Sequence, residues 1–454
     1  MGSNGAVTVL SKSITPYQFS SEGMIKAASR QQPQHHYRVS EADMFVIKTL
    51  GRGASSVVFK SFLIREGKFV ALKKINILQK ETRQQMMNDV KALCDAPNVP
   101  GLINFYGAYH VPDSGQPQIS IVLEYMDGGS LADVLRKVGV IPEGILSRIT
   151  ARVLQGLAFL HRKHLPANIL MSLQGEAKIA DFGISAFVAN TVANVTYMSP
   201  ERIEGKPYSF PADIWSLGLV LVEAATGRYP YDAHSGPVEL MIQRRPRAEQ
   251  LLQHPFVTRH AVGAPGAGDA GEGRRFMSVM VDPLERMDEI SFQFAWMYYA
   301  SLSKGPQGLR RLGGLYSSTS VLHHEGTVCC GREAIVARQQ QYAAAGASDA
   351  VWHIKTVDSQ PLGVDGTILV HVDGRVSRGG SGRDAGGSAA WTANSGECSC
   401  SGDDGPDLGT ATASGSSSGG AAALSVPFAE SFILKRSPTG GEYFITNQAM
   451  RTLL

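Results

Sequence analysis

The chain has 454 residues, which is too long for one compact domain, so two or three domains are expected. Its 43 basic and 40 acidic side chains give a net charge of only +3, which argues against a nucleic-acid partner because such a partner requires a concentrated basic face. No apolar run approaches the roughly 20 residues that span a bilayer, so no membrane partner is expected. The five cysteines do not form a disulfide framework, which favours a cytoplasmic and possible nuclear location.

Composition divides the chain into four regions. Residues 1–40 are rich in Ser, Gln and Gly and predict a disordered extension. Residues 41–258 show strand and helix periods and predict a first folded domain. A Gly/Ala-rich stretch makes 259–281 a predicted linker. The remainder, 282–454, predicts a second domain with a low-complexity insertion at 377–424.

A glycine-rich turn lies near the start of the first domain, at Leu50-Gly51-Arg52-Gly53. Glycine lets the backbone close over phosphate groups, so that N–H groups face the oxygens. The string VALK, ending at Lys73, follows at the spacing of two strands and a turn. Loop and lysine in this order predict a nucleotide site.

Three further motifs follow in the order that a kinase requires. The string LEYMDGGSL resembles a hinge, in which the backbone of Glu124 and Met126 is predicted to bind adenine. Asn168 and the triplet that begins at Asp181 supply an amide oxygen and a carboxylate, which are ligands suited to Mg²⁺. Together these motifs resemble the signature set of protein kinases.

Asp89 lies on the helix predicted over 83–90, where kinases carry the glutamate that holds the strand lysine. Aspartate is one methylene shorter, which removes about 1.5 Å of reach. Two interpretations stay open. Asp89 forms an ion pair with Lys73 if the helix moves inward, or it faces water.

The catalytic base of the kinase pattern is missing, because residues 161–168 read HRKHLPAN. We favour a loss of about six residues resembling VHRDIK between Leu165 and Pro166, because the preceding stretch looks like a helix end. In the alternative alignment, the HRK string beginning at His161 takes the place of the HRD triplet. Neither alignment supplies the aspartate that accepts the substrate proton. A positioned base contributes roughly 10²–10⁴-fold, so little turnover is expected.

Two more gaps affect the helical lobe. The activation segment is short by about five residues, and about forty residues are missing before Arg245, relative to the kinase pattern. Thr191 stands at the position of an activating phosphosite. Arg245 is still placed to pair with Glu201, and Asp213 still opens the central helix of the lobe.

Longer strings identify the family that each half resembles. VALKKINIL, KIADFGISA and YSFPADIWSLGLVLVEAATGRYPYDAHSGPVELMIQ make residues 45–257 resemble a mitogen-activated protein kinase kinase. The strings FAWMYYASLSKGPQGLRRLGGLYSSTSVLHHEG and FAESFILKRSPTGGEYFITNQAMRTL make the second half similar to a nuclear transport factor 2-like domain. The pairing resembles the third, plant-type class of these kinases, found in plants and green algae.

This resemblance implies an α+β chain, with a bilobal protein-kinase fold whose helical lobe is truncated, followed by a nuclear transport factor 2-like cone. It implies Mg-ATP as cofactor, phosphorylation of Thr and Tyr in a downstream mitogen-activated protein kinase, and activation by an upstream kinase. The implied catalytic residues are Lys73, Asp89, Asn168 and Asp181, of which Asn168 and Asp181 hold Mg²⁺. The implied nucleotide-binding residues are Leu50, Gly51, Arg52, Gly53, Val58, Ala71, Lys73, Glu124 and Met126.

The second domain shows structural signals more clearly than chemical ones. Its first helix is predicted to begin at Pro283, a strand is predicted over 367–372 with a turn at 373–374, and 431–435 and 442–445 predict a hairpin. Four aromatic residues are expected in the core or at a dimer face: Trp296, Tyr298, Tyr299 and Trp352. Asp358 and Asp365 are expected to be turn and strand-end carboxylates.

Three functions remain open at this point. The first is a mitogen-activated protein kinase kinase whose three internal gaps arise from misassigned exon boundaries. The second is an ATP-binding pseudokinase that acts as a scaffold, because the catalytic aspartate is missing. The third is a dimerisation or nuclear-transport module that acts through 282–454.

Overall fold

The computed structural model describes residues 7–10, 16–27, 34–53, 55–95, 98–111, 117–161, 168–180, 197, 199–203, 205, 210–230, 245–260, 271–344, 351–363, 365–378, 390–391, 424–437 and 443–452. The chain separates into two compact units. Unit 1 comprises Met1–Glu41, Ile47–Ser61 and Phe69–Asp282, and unit 2 comprises Ala42–Val46, Phe62–Lys68 and Pro283–Leu454.

Unit 1 begins with a four-stranded antiparallel sheet. Its strands, in spatial order, are β1 (Val7–Leu10), β2 (Pro16–Ser20), β3 (Gly23–Lys26) and β4 (His35–Arg38). Tyr17, Phe19 and Met24 are buried and join the main hydrophobic core of the unit. The prediction of a disordered extension over 1–40 is therefore wrong for these strands. The polar composition concealed a short alternation of large apolar residues, and that alternation is sufficient to form a hairpin with one buried face.

A five-stranded sheet follows in unit 1, and parts of its first three strands extend into unit 2. Its strands are β5 (Met44–Arg52), β6 (Ser56–Leu63), β7 (Lys68–Asn76), β8 (Phe105–His110) and β9 (Gln118–Glu124), in the order β5-β6-β7-β9-β8. Helix α1 (Lys80–Asp95) adds Met86, Val90 and Leu93 to the core, because residues three and four apart share one helix face. An ion pair of 3.0 Å joins Lys26 of β3 to Asp95 at the end of α1.

The rest of unit 1 is mainly helical. Its elements are α2 (Leu131–Val138), α3 (Glu143–His161), β10 (Asn168–Met171), β11 (Ala177–Ala180), α4 (Pro200–Ile203), α5 (Phe210–Thr226), α6 (Ala248–Leu251), α7 (Pro255–Thr258) and α8 (Glu272–Met277). Helix α3 runs through the core with Ile149, Val153 and Leu157 buried. The Ser147 hydroxyl of α3 donates to the carbonyl of Phe256 in α7 at 2.6 Å.

The predicted linker over 259–281 is wrong in its second half. Helix α8 lies inside that range, and its Met277 is completely buried in unit 1. Glu272 accepts a 2.7 Å hydrogen bond from Arg148 of α3. The Gly/Ala-rich composition that suggested a linker belongs to residues 261–270, which lie outside the described residues.

Unit 2 is built on a seven-stranded sheet and three helices. The elements are α9 (Pro283–Leu302), α10 (Pro306–Gly313), β12 (Tyr316–His324), β13 (Thr327–Cys330), α11 (Arg332–Ala344), β14 (Val351–Leu362), β15 (Thr367–Arg378), β16 (Ala390–Trp391), β17 (Leu424–Arg436) and β18 (Tyr443–Thr452). The strand order is β13-β12-β18-β17-β15-β14-β16. The predicted helix start at Pro283, the strand over 367–372 and the closing pair of strands are confirmed.

Two details of unit 2 differ from the sequence predictions. The predicted turn at 373–374 is wrong, because both residues continue β15 opposite β17. Gly374 is needed there for close packing, since a Cβ would lie 2.3 Å from the carbonyl oxygen of His353. The predicted insertion over 377–424 is narrower than its stated bounds, because β15 runs to Arg378 and β17 begins at Leu424. Residues 379–389 and 392–423 lie outside the described part.

The core of unit 2 is aromatic. Tyr298, Tyr299 and Trp352 are buried, as expected for core residues, and the Trp352 ring lies 4.9 Å from that of Phe428. Trp296 is half-buried, and its indole N–H donates to the carbonyl of Ile64 at 2.9 Å within the same unit. Asp365 is exposed in the turn before β15, as interpreted, whereas Asp358 is exposed within β14 opposite His371, so its interpretation as a strand-end or turn residue is wrong. None of the described helices is both long enough and apolar enough to span a membrane.

Candidate active site

The glycine turn connects β5 to β6 at one end of the five-stranded sheet. The Gly53 N–H donates to the Ser56 carbonyl at 2.8 Å, and the Asn76 N–H donates to the Ser55 carbonyl at 2.9 Å, which ties the turn to the end of β7. A Cβ placed on Gly51 would meet nothing within 4 Å. Arg52 is exposed and Gly51 is half-buried. The turn therefore has open space beside its backbone, which is the geometry that phosphate binding requires.

Lys73 lies on β7, which the sheet order places between β6 and β9. It is paired in register with Ile121 of β9, and only 5% of its surface is exposed. An ammonium group is costly to bury unless an anion or hydrogen-bond acceptors compensate for its lost hydration. Val58 and Ala71, which were predicted beside the nucleotide, are half-buried on β6 and β7. Leu50 is 42% exposed near the end of β5.

Asp89 is buried on α1, with 6% of its surface exposed. The interpretation in which Asp89 faces water is therefore wrong. The cause is its helix position, because Asp89 shares a face with the core residues Met86 and Leu93. Unit 1 thus buries the carboxyl group of Asp89 on α1 and the amino group of Lys73 on β7.

The hinge begins where β9 ends at Glu124. The Glu124 carboxylate accepts from Lys178 Nζ at 2.7 and 3.0 Å and from the Asn104 N–H at 2.9 Å. The Glu124 N–H donates to the Asn104 carbonyl at 2.9 Å. These bonds occupy the side chain and the backbone donor of Glu124, so its carbonyl is the group that it can offer to adenine. Sequence reasoning missed the contact of Lys178, because this residue lies 54 positions after Glu124 in the chain.

The segment after the hinge is fixed by a capping box at the start of α2. Ser130 accepts from the Asp133 N–H at 3.1 Å, and the Asp133 carboxylate accepts from the Ser130 N–H at 2.9 Å. Nearby, the Asp127 carboxylate accepts from the Leu173 N–H at 2.8 Å. Met126, between these contacts and β9, is buried. The hinge backbone is therefore held at both ends.

A short antiparallel ladder contains the backbone of Asn168, the first of the two predicted magnesium ligands. In the pairing of β10 with β11, Asn168 lies opposite Ala180, the residue immediately before Asp181. The Gly128 N–H donates to the Met171 carbonyl at 3.0 Å, which links β10 to the hinge. Asp181 and the Asn168 side chain lie outside what the structure describes. An amide oxygen beside a carboxylate is a donor set that suits Mg²⁺.

Helix α3 ends at His161, just before the missing catalytic base. His161 is buried, and its Nε2 lies 3.1 Å from a carboxylate oxygen of Asp213 in the first turn of α5. The six residues that remain before Asn168 include no acid, and they lie outside the described residues. The His161–Asp213 contact was not predicted, although an acid at the start of one helix and a histidine at the end of another were visible.

Glu201 and Arg245 form a bidentate ion pair in the helical lobe. Their N···O distances are 2.7 and 3.2 Å, and the Arg245 guanidinium lies 4.7 Å from the centre of the Trp215 ring. Burial acts to raise the pKa of Glu201, but the hydrogen bonds from Arg245, the Glu201 backbone N–H and Ser199, together with the charge of Arg245, hold that pKa below its ordinary value. Thr191, the predicted phosphosite, lies outside the described residues.

Comparison with known proteins gives the context for this site. The family model for the protein kinase domain matches residues 45–255, and the model for the nuclear transport factor 2 (NTF2) domain matches residues 290–385. The chain is 39% identical to mitogen-activated protein kinase kinase 3 of Arabidopsis thaliana over 376 residues. This alignment covers 72% of the chain and 71% of that protein.

Two further relatives match the kinase half. Dual specificity mitogen-activated protein kinase kinase 1 of Dictyostelium discoideum is 40% identical over 232 residues, or 47% of this chain and 34% of that protein. Mitogen-activated protein kinase kinase 1 of Arabidopsis thaliana is 41% identical over 210 residues, or 43% of this chain and 58% of that protein. Of these three relatives, the first is aligned over most of the length of both chains.

Proposed function

Because the chain belongs to the mitogen-activated protein kinase kinase family, it is by family a dual-specificity protein kinase, and we propose that its unit 1 binds Mg-ATP and phosphorylates Thr and Tyr of a downstream mitogen-activated protein kinase. The observation that carries the nucleotide site is the buried Lys73 on β7, next to a glycine turn with open space beside it. The family match to dual specificity kinases supports the substrate class.

The residues of the chain have separate tasks in this proposal. The glycine turn covers the phosphates, with the open side of Gly51 toward them, and Lys73 neutralises part of their charge. The carbonyl of Glu124 and the N–H of Met126 hold the adenine. Bound Mg²⁺ supplies charge stabilisation to the transferring phosphoryl group, and the residues that fit it are Asn168 and Asp181.

We propose that Asp89 holds Lys73 in place when the kinase is active. Both side chains are buried in unit 1, and a buried charge favours an opposite charge nearby. Aspartate reaches about 1.5 Å less than glutamate, so α1 must lie closer to β7 than it would with a glutamate at this position. Replacement of Asp89 by glutamate is expected to keep activity, and replacement by asparagine is expected to reduce it.

The transfer step forms a bond between the substrate hydroxyl oxygen and the γ-phosphorus while the bond to the β–γ bridging oxygen breaks and ADP leaves. The hydroxyl proton must also leave, and kinases use the catalytic aspartate to orient and accept it. The stretch between His161 and Asn168 has no acid, so the proton passes to water or to the phosphoryl oxygens. Transfer is therefore expected to be slower than in a kinase with the base, by roughly 10²–10⁴-fold.

The experiment measures both nucleotide binding and transfer on the whole chain. Calorimetry with Mg-ATP is expected to give saturable binding, and radiolabelled ATP is expected to give slow phosphorylation of Thr and Tyr in a catalytically inactive mitogen-activated protein kinase. Lys73→Met is expected to abolish transfer, whereas replacement of the exposed Lys355 by methionine is the matched control. Saturable binding with no transfer above the Lys73→Met background would leave a nucleotide-binding scaffold as the function. No nucleotide binding by folded protein would remove the proposal altogether.

Regulation and partners follow from the family as further proposals. An upstream kinase is proposed to phosphorylate Thr191, which mass spectrometry of the activated protein can test against a Thr191→Ala control. The match of 290–385 to the NTF2 domain supports a homodimer or a transport partner bound through 282–454. Sedimentation and fluorescence imaging of chains with and without that region test this partner and the proposed cytoplasmic and nuclear location.

A further inference from the structure

Unit 2 contains a cavity that is lined by residues of α9, α10 and α11 and by residues of the seven-stranded sheet. The empty space of the cavity is about 570 Å³, a figure that includes the space at its mouth that is open to solvent. Its wall is mostly apolar. The apolar lining residues are Leu302, Leu309, Leu322, Trp352 and Met450.

A buried acid lies in the polar part of the wall. Glu430 of β17 is 1% exposed, and it accepts hydrogen bonds from the Tyr299 hydroxyl at 2.7 Å and from Gln448 Nε2. Gln448 also donates to the Tyr298 hydroxyl oxygen at 2.6 Å. Glu430 has no cationic partner in the part of the chain that the structure describes. The acid is therefore held by neutral donors and contributes no ion pair to the fold.

Polar atoms that are buried without a hydrogen-bond partner among the described residues also line the wall. Among them are Nε of Arg338 and Oε1 of Gln339, which are neighbours on α11. The Tyr316 hydroxyl donates its proton to Gln448 Oε1, so the Gln339 group that faces Tyr316 is the donor Nε2, which lies 2.9 Å from the Tyr316 oxygen and 3.2 Å from that of Tyr298. Arg338 therefore offers a charged donor to the cavity, and Gln339 offers an acceptor. A buried donor or acceptor that is left unsatisfied destabilises the protein, so an occupant that satisfies both is favoured.

The charge of the wall selects the class of occupant. Besides tyrosine, its ionisable side chains are His324, Arg338 and Glu430. Burial lowers the pKa of His324, so this imidazole is neutral at pH 7. Arg338 is then the single cation, which matches a monoanion. A phosphate dianion is a poorer fit, because it needs several charged donors.

We propose that this cavity binds a small, mainly apolar hydroxy acid that carries its carboxylate and its hydroxyl group at the same end. The carboxylate accepts a hydrogen bond from Arg338, and the hydroxyl group donates one to Gln339. The hydrocarbon body packs against Leu322, Trp352 and Met450. Every residue of this site belongs to unit 2, so the proposal does not depend on nucleotide binding or phosphoryl transfer.

Protonation of Glu430 adds a pH dependence to this binding. Burial raises the pKa of Glu430 to about 7. Tyr298, Tyr299 and Tyr316 surround it and remain neutral, since burial also raises their pKa. Arg338 is the positive group in the wall. The negative charge of Asp373 on β15 also contributes to the raised pKa of Tyr299. An ionised Glu430 repels a bound carboxylate, so affinity for the acid is expected to fall as the pH rises from 6 to 8.

The test uses mandelate, an α-hydroxy acid with a phenyl body, and the whole chain. Calorimetry at about pH 6 is expected to show saturable binding at one site. Arg338→Met is expected to weaken binding at least tenfold, because a charge-assisted hydrogen bond is lost. Lys355→Met removes an exposed cation from β14 and is expected to leave the affinity unchanged. Met450→Trp is expected to block binding by filling the cavity.

Matched ligands test the two polar contacts without changing the protein. Phenylacetate lacks the hydroxyl group and is expected to bind about three- to tenfold more weakly, and uncharged mandelamide is expected to bind at least tenfold more weakly. Mandelamide binding as tightly as mandelate would overturn the proposal, even if the Arg338→Met protein does not fold. Equal affinities of the Arg338→Met and wild-type proteins, or no saturable binding at millimolar mandelate, would overturn it as well.

Discussion

The sequence of unit 1 has no acid between His161 and Asn168, where the kinase pattern carries its catalytic aspartate, whereas unit 2 contains a buried acid, Glu430, without an ion-pair partner among the described residues. The fold around the gap in unit 1 is maintained by other contacts, including the His161–Asp213 hydrogen bond and the Glu201–Arg245 ion pair. Glu430 in unit 2 is buried among neutral donors. An acid restored in unit 1 is therefore expected to change the transfer rate, whereas ionisation of the acid in unit 2 is expected to lower stability.

The largest effect is expected from restoring the base. Insertion of Val-His-Arg-Asp-Ile-Lys between Leu165 and Pro166 is expected to raise the transfer rate by roughly 10²–10⁴-fold, because a positioned base then receives the hydroxyl proton. The Mg-ATP affinity is expected to stay within about threefold. Radiolabelled phosphate transfer and calorimetry measure the two quantities. The control is the same insertion with Asn in place of Asp, and equal rates for both insertions would show that the base is not what unit 1 lacks.

A smaller effect is expected from the acid of unit 2. The pKa of Glu430 is about 7 in the folded chain, above its ordinary value of 4.5. The folded state therefore binds more protons between these values. Proton binding by Glu430 therefore contributes to the free energy of unfolding. This contribution is complete below pH 4.5 and is lost as the pH rises through 7, by about 3 kcal/mol in total.

Urea denaturation of unit 2, followed by tryptophan fluorescence between pH 4.5 and 8, measures this slope. Glu430→Gln keeps a neutral acceptor at the site and is expected to flatten the profile. Asp358→Asn, at an exposed strand position, is the control and is expected to leave the profile unchanged. A slope that persists in Glu430→Gln would assign the pH dependence to another group.

The ion pair of unit 1 provides the next test. Arg245→Lys keeps the charge but loses the two-point contact with Glu201 and the stacking on Trp215. The expected loss is about 1–2 kcal/mol in the free energy of unfolding. Denaturant titration of unit 1, with the exposed Arg136→Lys as a control, measures it. Equal losses in the two variants would mean that the two-point contact with Glu201 and the stacking on Trp215 do not contribute to stability.

The smallest effect is expected at the hinge. Ser130→Ala removes the side-chain cap of α2 and is expected to cost about 1 kcal/mol. Ser130→Thr retains a capping hydroxyl group and is the matched variant, with a smaller expected loss. Thermal unfolding with and without Mg-ATP separates an effect on the fold from one on the nucleotide site. A stability of Ser130→Ala equal to wild type would show that Asp133 alone holds the start of α2.

Sequence patterns located the elements of unit 1 because each carries a local signal. The glycine turn, the strand of Lys73 and the start of the helix with Asp89 follow from spacing and residue type alone. Burial of Asp89 could not be predicted with the same certainty, because it depends on how α1 packs against the sheet. The strands before residue 40 were missed because few large apolar residues, such as Tyr17 and Phe19, form their buried face.

The cavity of unit 2 could not be predicted from the sequence. Its polar residues come from positions as distant as Tyr298, Gln339, Glu430 and Gln448, and none forms a motif with its neighbours in the chain. Their proximity arises from strand pairing, since Glu430 lies opposite Met450 in the β17–β18 ladder. Hydrophobic periodicity predicts that such strands exist, but it does not predict which polar side chains meet between them.

The four-stranded sheet at the start of the chain determines where a recombinant kinase fragment can begin. The Tyr37 ring of β4 lies 5.0 Å from the Phe105 ring of β8, and β8 is the last strand of the five-stranded sheet. A gene fragment that starts near residue 41 would leave this apolar surface exposed to solvent and to other chains. Such a fragment is expected to aggregate during expression, even though the kinase domain match begins only at residue 45.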